Sequence, residues 1–213
     1  MSDTTQNSFS STHDLDQVYD GQEIQLLVFL PFMGPGVDTA TGQLLGPPQD
    51  TYVMHSTQLR MKPTLQALQR FEQESVLIID QLEKLEGLVG FAFGLEPRRN
   101  VFRTMGVWRS TAAIDSFTGH GAHYQSMNGA DAISFSVRGH CWEVPASEMP
   151  PRWEAAIAGL AKPNAGTGSP PPQAVTTANL IDLAVAVGQS PKQVFQISAA
   201  KLREMFAAAG LAP

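Results

Sequence analysis

From Ile133 to Val144 the chain keeps a two-residue period: Ile133, Phe135, Val137, Gly139 and Cys141 point one way, and Ser134, Ser136, Arg138, His140 and Trp142 point the other. Successive strand side chains project to opposite faces, and no helix gathers such a pattern into one stripe. The segment is therefore predicted to be a long strand whose sheet has two chemically different faces. Any fold for this chain must supply a different cover for each.

The upstream pattern supplies the other elements. Ile24 to Leu30 is a short apolar run stopped by Pro31 and Gly34-Pro35-Gly36, which reads as a strand. Residues Gly34 to Asp50 hold four Gly and three Pro and read as a loop. After Pro63, placed where a first helical turn tolerates it, Leu65, Leu68, Phe71, Ile78, Ile79, Leu82 and Leu85 recur at three- and four-residue steps. That is a long amphipathic helix, with Gly87 as its expected C-cap. Leu88 to Leu95 alternates large residues with Gly90, Ala92 and Gly94, so it reads as a strand with one face closely approached by something else. Val101 to Trp108 follows a Pro97–Asn100 turn as another strand, and Ser110 or Thr111 caps a second helix carrying Ala113, Ile114, Phe117 and Tyr124.

The resulting order, strand, helix, strand, strand, helix, strand, is the split βαβ or ferredoxin-like unit, an α+β fold whose antiparallel sheet carries both helices on one face. A second copy is the simplest cover for the other face, so a homodimer is expected.

The ends differ in character from this body. Residues 1–23 are polar, with five acids and no Lys or Arg, and are expected to form an arm. The body spans 24–160, and a Gly/Pro linker spans 161–175. Residues 176–213 are expected to be a helical segment: Asn179 to Val187 is helix-compatible, and Ser190-Pro191 opens a helix striped with Val194, Ile197, Leu202, Met205 and Phe206. These helices are expected to fold back on the body or to dock on a protein partner.

A net charge of −6 argues against nucleic-acid binding, which needs a basic surface. No apolar run is long enough to span a membrane, and no secretory signal pattern is present, so a cytoplasmic protein is expected. The single cysteine, Cys141, excludes an intramolecular disulfide and a multi-Cys zinc site; on the apolar strand face it reads as a buried, inert thiol.

The stretch Phe102-Arg103-Thr104-Met105-Gly106-Val107-Trp108-Arg109-Ser110, with Ala113, Phe117, His123 and Met127 beyond it, resembles the dimeric α+β barrel superfamily. Among its antibiotic-biosynthesis monooxygenases and spheroidene-monooxygenase-like proteins, a third strand ends in Trp and is followed by a helix with an aromatic and then a His. Trp108, Phe117 and His123 match that pattern. The resemblance covers the body only; the 34–50 segment and everything after Pro150 fall outside it. It implies a monooxygenase-like oxidoreductase acting on a small molecule, cofactor-free or haem-dependent, with a pocket between sheet and helices. In the cofactor-free form a polar residue would deprotonate an activated phenol or enol, whose anion reacts with O₂. In the haem form His123 or His120 would ligate iron.

The residues allow narrower statements. His123 and His120 are the catalytic candidates, because imidazole suits both proton transfer near neutral pH and haem ligation; the competing reading is a helix-edge His bonded to a carbonyl or to solvent. Gly119 and Gly121 flank His120 and weaken any helix there. His120 and His123 are spaced to chelate a metal, but no acidic third ligand lies nearby in sequence, so no metal site is expected. Trp108 and Phe117 are candidate pocket walls, and equally candidate core. Tyr124 and Asn128 could orient a substrate oxygen, and Arg138 could bind an anion or carbonyl, the competing reading for Arg138 being a solvated or dimer-facing polar face. Dinucleotide, nucleophile-elbow, zinc-protease and Ca²⁺ patterns are absent. The alternative to an enzyme is a ligand-binding or assembly protein whose C-terminal helices dock on a partner.

Overall fold

A computed structural model describes residues 23–161, 174–208 and 210. Its strands, in chain order, are β1 (Ile24–Met33), β2 (Thr51–Met61), β3 (Leu88–Glu96), β4 (Val101–Trp108), β5 (Ser134–Pro145) and β6 (Val175–Asn179). Its helices are α1 (Leu65–Leu82), α2 (Thr111–Gly119), α3 (Gly121–Asn128), α4 (Trp153–Ala161), α5 (Leu183–Ala186) and α6 (Pro191–Ala208). They build an α+β fold around one six-stranded sheet, in the order β5-β2-β4-β3-β1-β6. All neighbours are antiparallel except β1 and β6. The sheet is not closed into a barrel; β5 and β6 are its edges.

The ferredoxin-like unit within it runs from β2 to β5. Its first strand is β2, not the Ile24 run. β1 lies outside the unit, paired with β3. The reason β2 is hard to read is physical. Polar residues fill its inward positions: Ser56 and Gln58 are buried on one face, and His55 and Thr57 line a cavity on the other. Ser56 Oγ donates to the Thr104 carbonyl at 2.9 Å, and Gln58 Oε1 accepts from Arg103 at 2.7 Å. With the Ser56 hydroxyl and the Gln58 amide oxygen bonded, their burial costs less, but the hydropathy alternation that marks a strand is erased.

The helices form where the sequence places their ends. Thr64 caps α1 by accepting from Ala67 N at 3.2 Å, and Ser110 caps α2 by accepting from Ala113 N at 3.3 Å. At α6, Ser190 Oγ accepts from Gln193 N while Gln193 Oε1 accepts from Ser190 N, a reciprocal capping box. α1 stops at Leu82, earlier than expected, and Gly87 (φ 83°) then turns the chain into β3. The second helix breaks in two at Gly119-His120-Gly121, where His120 is extended (φ −144°) and Gly121 is left-handed (φ 69°).

One sheet face carries α1, α2, α3 and α6 over an aromatic core that includes Phe29, Phe93, Phe102 and Phe195. The other face carries α4, whose Trp153, Ala156 and Ile157 pack with Tyr52, Met54 and Val144. The close approach implied by Gly90 and Gly94 comes from this side. A Cβ on Gly94 would sit 2.9 Å from Leu26, and one on Gly90 2.8 Å from Val37. Cover that a second copy was expected to supply therefore comes, over β2 and β5, from the chain's own α4.

The C-terminal segment differs from expectation in its first half. Val175–Asn179 is an edge strand parallel to β1, and α5 is a single turn. α6 forms as expected and folds back on the body, but Ile197 and Met205 of its expected stripe are exposed, each at 42%. Val194, Phe195, Ala199 and Leu202 are buried, Lys192 pairs with Asp80 at 2.8 Å, and Arg203 pairs with Glu72. The expectations for residues 1–22 and 162–173 lie outside the described residues. Cys141 is exposed, not buried, because β5 is an edge strand of the sheet. Partial desolvation and the Asp115 carboxylate still push its thiol up to about 11, so little thiolate forms near neutrality. Among the described residues no helix is long and apolar enough to cross a membrane.

Candidate functional site

Alternation along three strands sends one set of side chains toward the helices. His55, Thr57 and Leu59 of β2, Thr104 and Trp108 of β4, and Phe91 and Phe93 of β3 form the floor of a cavity. Phe71, Glu74, Ile78 and Leu82 of α1 roof it, and Phe117, His123 and Ser126 close the side. Gly106 leaves the Trp108 indole in place, since a Cβ there would stand 3.0 Å from Trp108 Nε1. The cavity offers about 110 Å³ for the centres of water-sized molecules, several times the ~10–15 Å³ that one water needs by that measure.

The wall is aromatic, with few polar groups. Trp108 stacks toward Phe117 at 5.2 Å between ring centroids, and Phe117 toward His123 at 4.2 Å. The Thr57 and Thr104 hydroxyls bond to each other at 2.6 Å. Ser126 Oγ donates to Glu74 at 2.6 Å, and Arg70 pairs with the same carboxylate. Two polar atoms lack such partners: Trp108 Nε1 and His123 Nδ1 are buried without a hydrogen bond. In an apolar wall these are the atoms a ligand would satisfy.

The imidazoles of His55 and His123 are neutral near pH 7. Desolvation lowers His123 to about 4. Desolvation, then the positive charges that His123 and His140 would carry, lowers His55 to about 3. A neutral imidazole can accept a proton or hydrogen bond at one nitrogen and donate at the other.

Their burial carries a stability consequence. The unfolded chain binds protons at its histidines near ~6.5, while the folded chain resists them. Stability is therefore full above about pH 6.5 and is lost as pH falls toward about 4 for His123 and about 3 for His55. A midpoint lowered tenfold in proton affinity corresponds to ~1.4 kcal/mol, so the pair together amounts to several kcal/mol. The double variant His55→Gln/His123→Gln should lose less melting temperature between pH 7 and pH 4 than the wild-type chain. Parallel melting-temperature profiles would contradict the neutral, buried assignment.

Of the residues singled out in the sequence, Trp108, Phe117 and His123 line the cavity together. His120 sits exposed at the break between α2 and α3. Tyr124 and Asn128 are on the exposed side of α3. Arg138 projects from β5 to the α4 side of the sheet, away from the cavity that its neighbour Val137 lines. His55 escapes a reading of the sequence because β2 itself does. Its place opposite Gly106 in the β2–β4 register puts it beside the cavity floor. Among the described residues no three His, Cys, Asp or Glu side chains converge as a metal-ligand set.

No protein-family model and no curated protein matches the chain. Solved structures do match part of it. The protein Rv0793 of Mycobacterium tuberculosis is 13% identical, over 46% of this chain and 98% of its own, with a TM-score of 0.41. A candidate monooxygenase from Lactobacillus acidophilus is 15% identical, over 44% of this chain and 44% of its own, with a TM-score of 0.38. A Bacteroides thetaiotaomicron protein described as a possible oxidoreductase is 11% identical, over 45% of this chain and all 100% of its own, with a TM-score of 0.38.

Proposed function

We propose that the cavity binds a small hydroxylated aromatic molecule and that the protein is a cofactor-independent oxidative enzyme using O₂. One observation carries this reading: a desolvated, aromatic-walled cavity holds two neutral imidazoles and an unpartnered indole N–H. The Phe and Trp rings suit a flat apolar ligand. Trp108 Nε1 would donate to a ligand oxygen, and His123 or His55 would accept the ligand's hydroxyl proton. Proton loss raises electron density on the ring. O₂ then adds at a ring carbon, and the hydroperoxide loses water to leave a carbonyl. With 1-naphthol the balance is one naphthol and one O₂ giving 1,4-naphthoquinone and one water.

Haem is the other cofactor implied by the sequence resemblance. His123 could ligate iron, but propionates buried with the porphyrin in this cavity would need cationic partners. Among the described residues no Lys or Arg lines the cavity, and its acidic lining residue is Glu74. The lining does not fit haem.

A second reading, ligand binding without turnover, is favoured by one observation. A His123 held near 4 is a weak proton acceptor, better suited to a hydrogen bond than to full transfer. Fluorescence titration with 1-naphthol and an oxygen electrode separate the two. The enzyme reading expects saturable binding, one O₂ consumed per quinone, and a rate loss of ~10²–10⁴ in His123→Ala. Binding without oxygen uptake selects the binder. No saturable binding would sink both.

A further inference from the structure

We infer that Gln81, at the end of α1, is the positioning residue for His123, acting by clamping the break between α2 and α3. This rests on the reading of His123 as the imidazole that meets the ligand.

A helix break leaves carbonyls without partners on one side and N–H groups without partners on the other. Here a single side-chain amide serves both. Gln81 Nε2 donates to the Phe117 carbonyl at 3.3 Å and to the His120 carbonyl at 3.0 Å. Its Oε1 accepts from the His123 backbone N–H at 3.0 Å. The amide orientation is fixed by chemistry, since the nitrogen faces two acceptors and the oxygen faces a donor.

His123 depends on this clamp for an uncommon reason. A functional imidazole is usually oriented by a hydrogen bond from its second nitrogen. His123 Nδ1 has no such partner. What holds the ring is its backbone, tied by Gln81, and the Phe117 ring 4.2 Å away. Phe117 is itself tied to Gln81 through its carbonyl, so both supports of the ring meet at one residue.

Gly121 supplies a second, independent indication. Its φ of 69° favours glycine, and a Cβ on it would stand 2.9–3.0 Å from the Gln81 amide atoms. The break therefore excludes a side chain at 121 on two counts, and one of them is to leave Gln81 its place.

The experiment uses the full chain and follows each imidazole by NMR through a pH titration. In Gln81→Leu the His123 midpoint should rise by about one pH unit or more toward the ~6.5 of a free imidazole. A purely structural role would lower the melting temperature and leave the His123 midpoint where it was; that result overturns the inference. Should Gln81→Leu fail to fold, Gly121→Ala tests the same clamp with Gln81 present, and an unmoved His123 midpoint there overturns the inference equally. Titration with 1-naphthol keeps the two levels apart. A wild-type chain that does not bind it refutes the functional reading, whereas binding with an unmoved His123 in the variants refutes the clamp.

Discussion

A chain that stops after Lys162 is expected to lose most of its stability and to aggregate. The loss would come mainly from α6. Val194, Phe195 and Leu202 are almost wholly buried, at 0%, 1% and 2% exposure. Fully burying such side chains is worth ~1.5–3 kcal/mol each, so the three represent roughly 5–9 kcal/mol. A whole domain of this size has only about 5–15 kcal/mol to lose. Truncation also uncovers partners on the body: the Phe195 ring lies 6.0 Å from Phe29 and 6.1 Å from Phe93. It removes β6 as well and opens the backbone edge of β1. Thermal unfolding with light scattering measures both effects. A truncated chain with an unchanged melting temperature and no scattering would show that α6 serves another protein rather than its own body.

That dependence is legible in the sequence for α6 but not for β6. α6 announces itself by Ser190, Pro191 and a regular apolar stripe, all local signals. β6 is Val175-Thr-Thr-Ala-Asn, mostly exposed, and becomes a strand only because β1 lies beside it. Pairing between distant segments leaves no trace in a short polar sequence. β2 is illegible for the opposite reason. Its inward positions are occupied by His55, Ser56, Thr57 and Gln58; the last three bond to Thr104 or Arg103 of β4, and His55 lines the cavity. The ferredoxin-like unit is still recognisable, because the apolar run at Ile24 occupies the same place in the expected order. The adjacent strands β3 and β4, the helix α1 and the alternation of β5 agree with their local patterns.

The site divides along the same line. Trp108, Phe117 and His123 follow one another along the chain, on β4, α2 and α3, and the family resemblance, not local periodicity, groups them in the sequence. His55 and Gln81 reach the same place from β2 and α1. His55 lies in a strand without alternation, and Gln81 is an ordinary polar position on an amphipathic helix. Its role depends on where the break at Gly119-His120-Gly121 falls in space. The two glycines signal that the helix weakens; they carry no information about what holds the two halves.

The largest single-residue effect is expected on the opposite side of the sheet. Glu96 and Arg103 are both buried, at 2% and 1% exposure. Arg103 Nη2 donates to Glu96 Oε2 at 3.0 Å and Nη1 to Gln58 Oε1 at 2.7 Å, while Arg99 pairs with the other Glu96 oxygen. Guanidinium stays charged at any relevant pH, so Glu96→Ala strips a buried cation of the carboxylate beside it. Breaking a buried pair in this way costs about 3–5 kcal/mol, because the remaining charge has already left water. The pair itself need not stabilise the fold. Replacing both partners together, as Glu96→Leu/Arg103→Met, removes the charge as well as its partner and should recover part of the loss, the rest being the donor that buried Gln58 Oε1 loses. Denaturant unfolding of Glu96→Leu, Arg103→Met and the double variant gives the coupling directly. A Glu96→Ala chain within ~0.5 kcal/mol of wild type would mean that water reaches the pair and that it behaves as a surface contact. The consequence for the site follows from the pleat. Arg103 and Thr104 are neighbours on β4 pointing to opposite faces, and Thr104 is part of the cavity floor. A change that loosens β4 from below should therefore weaken 1-naphthol binding above it, without any direct contact with the ligand.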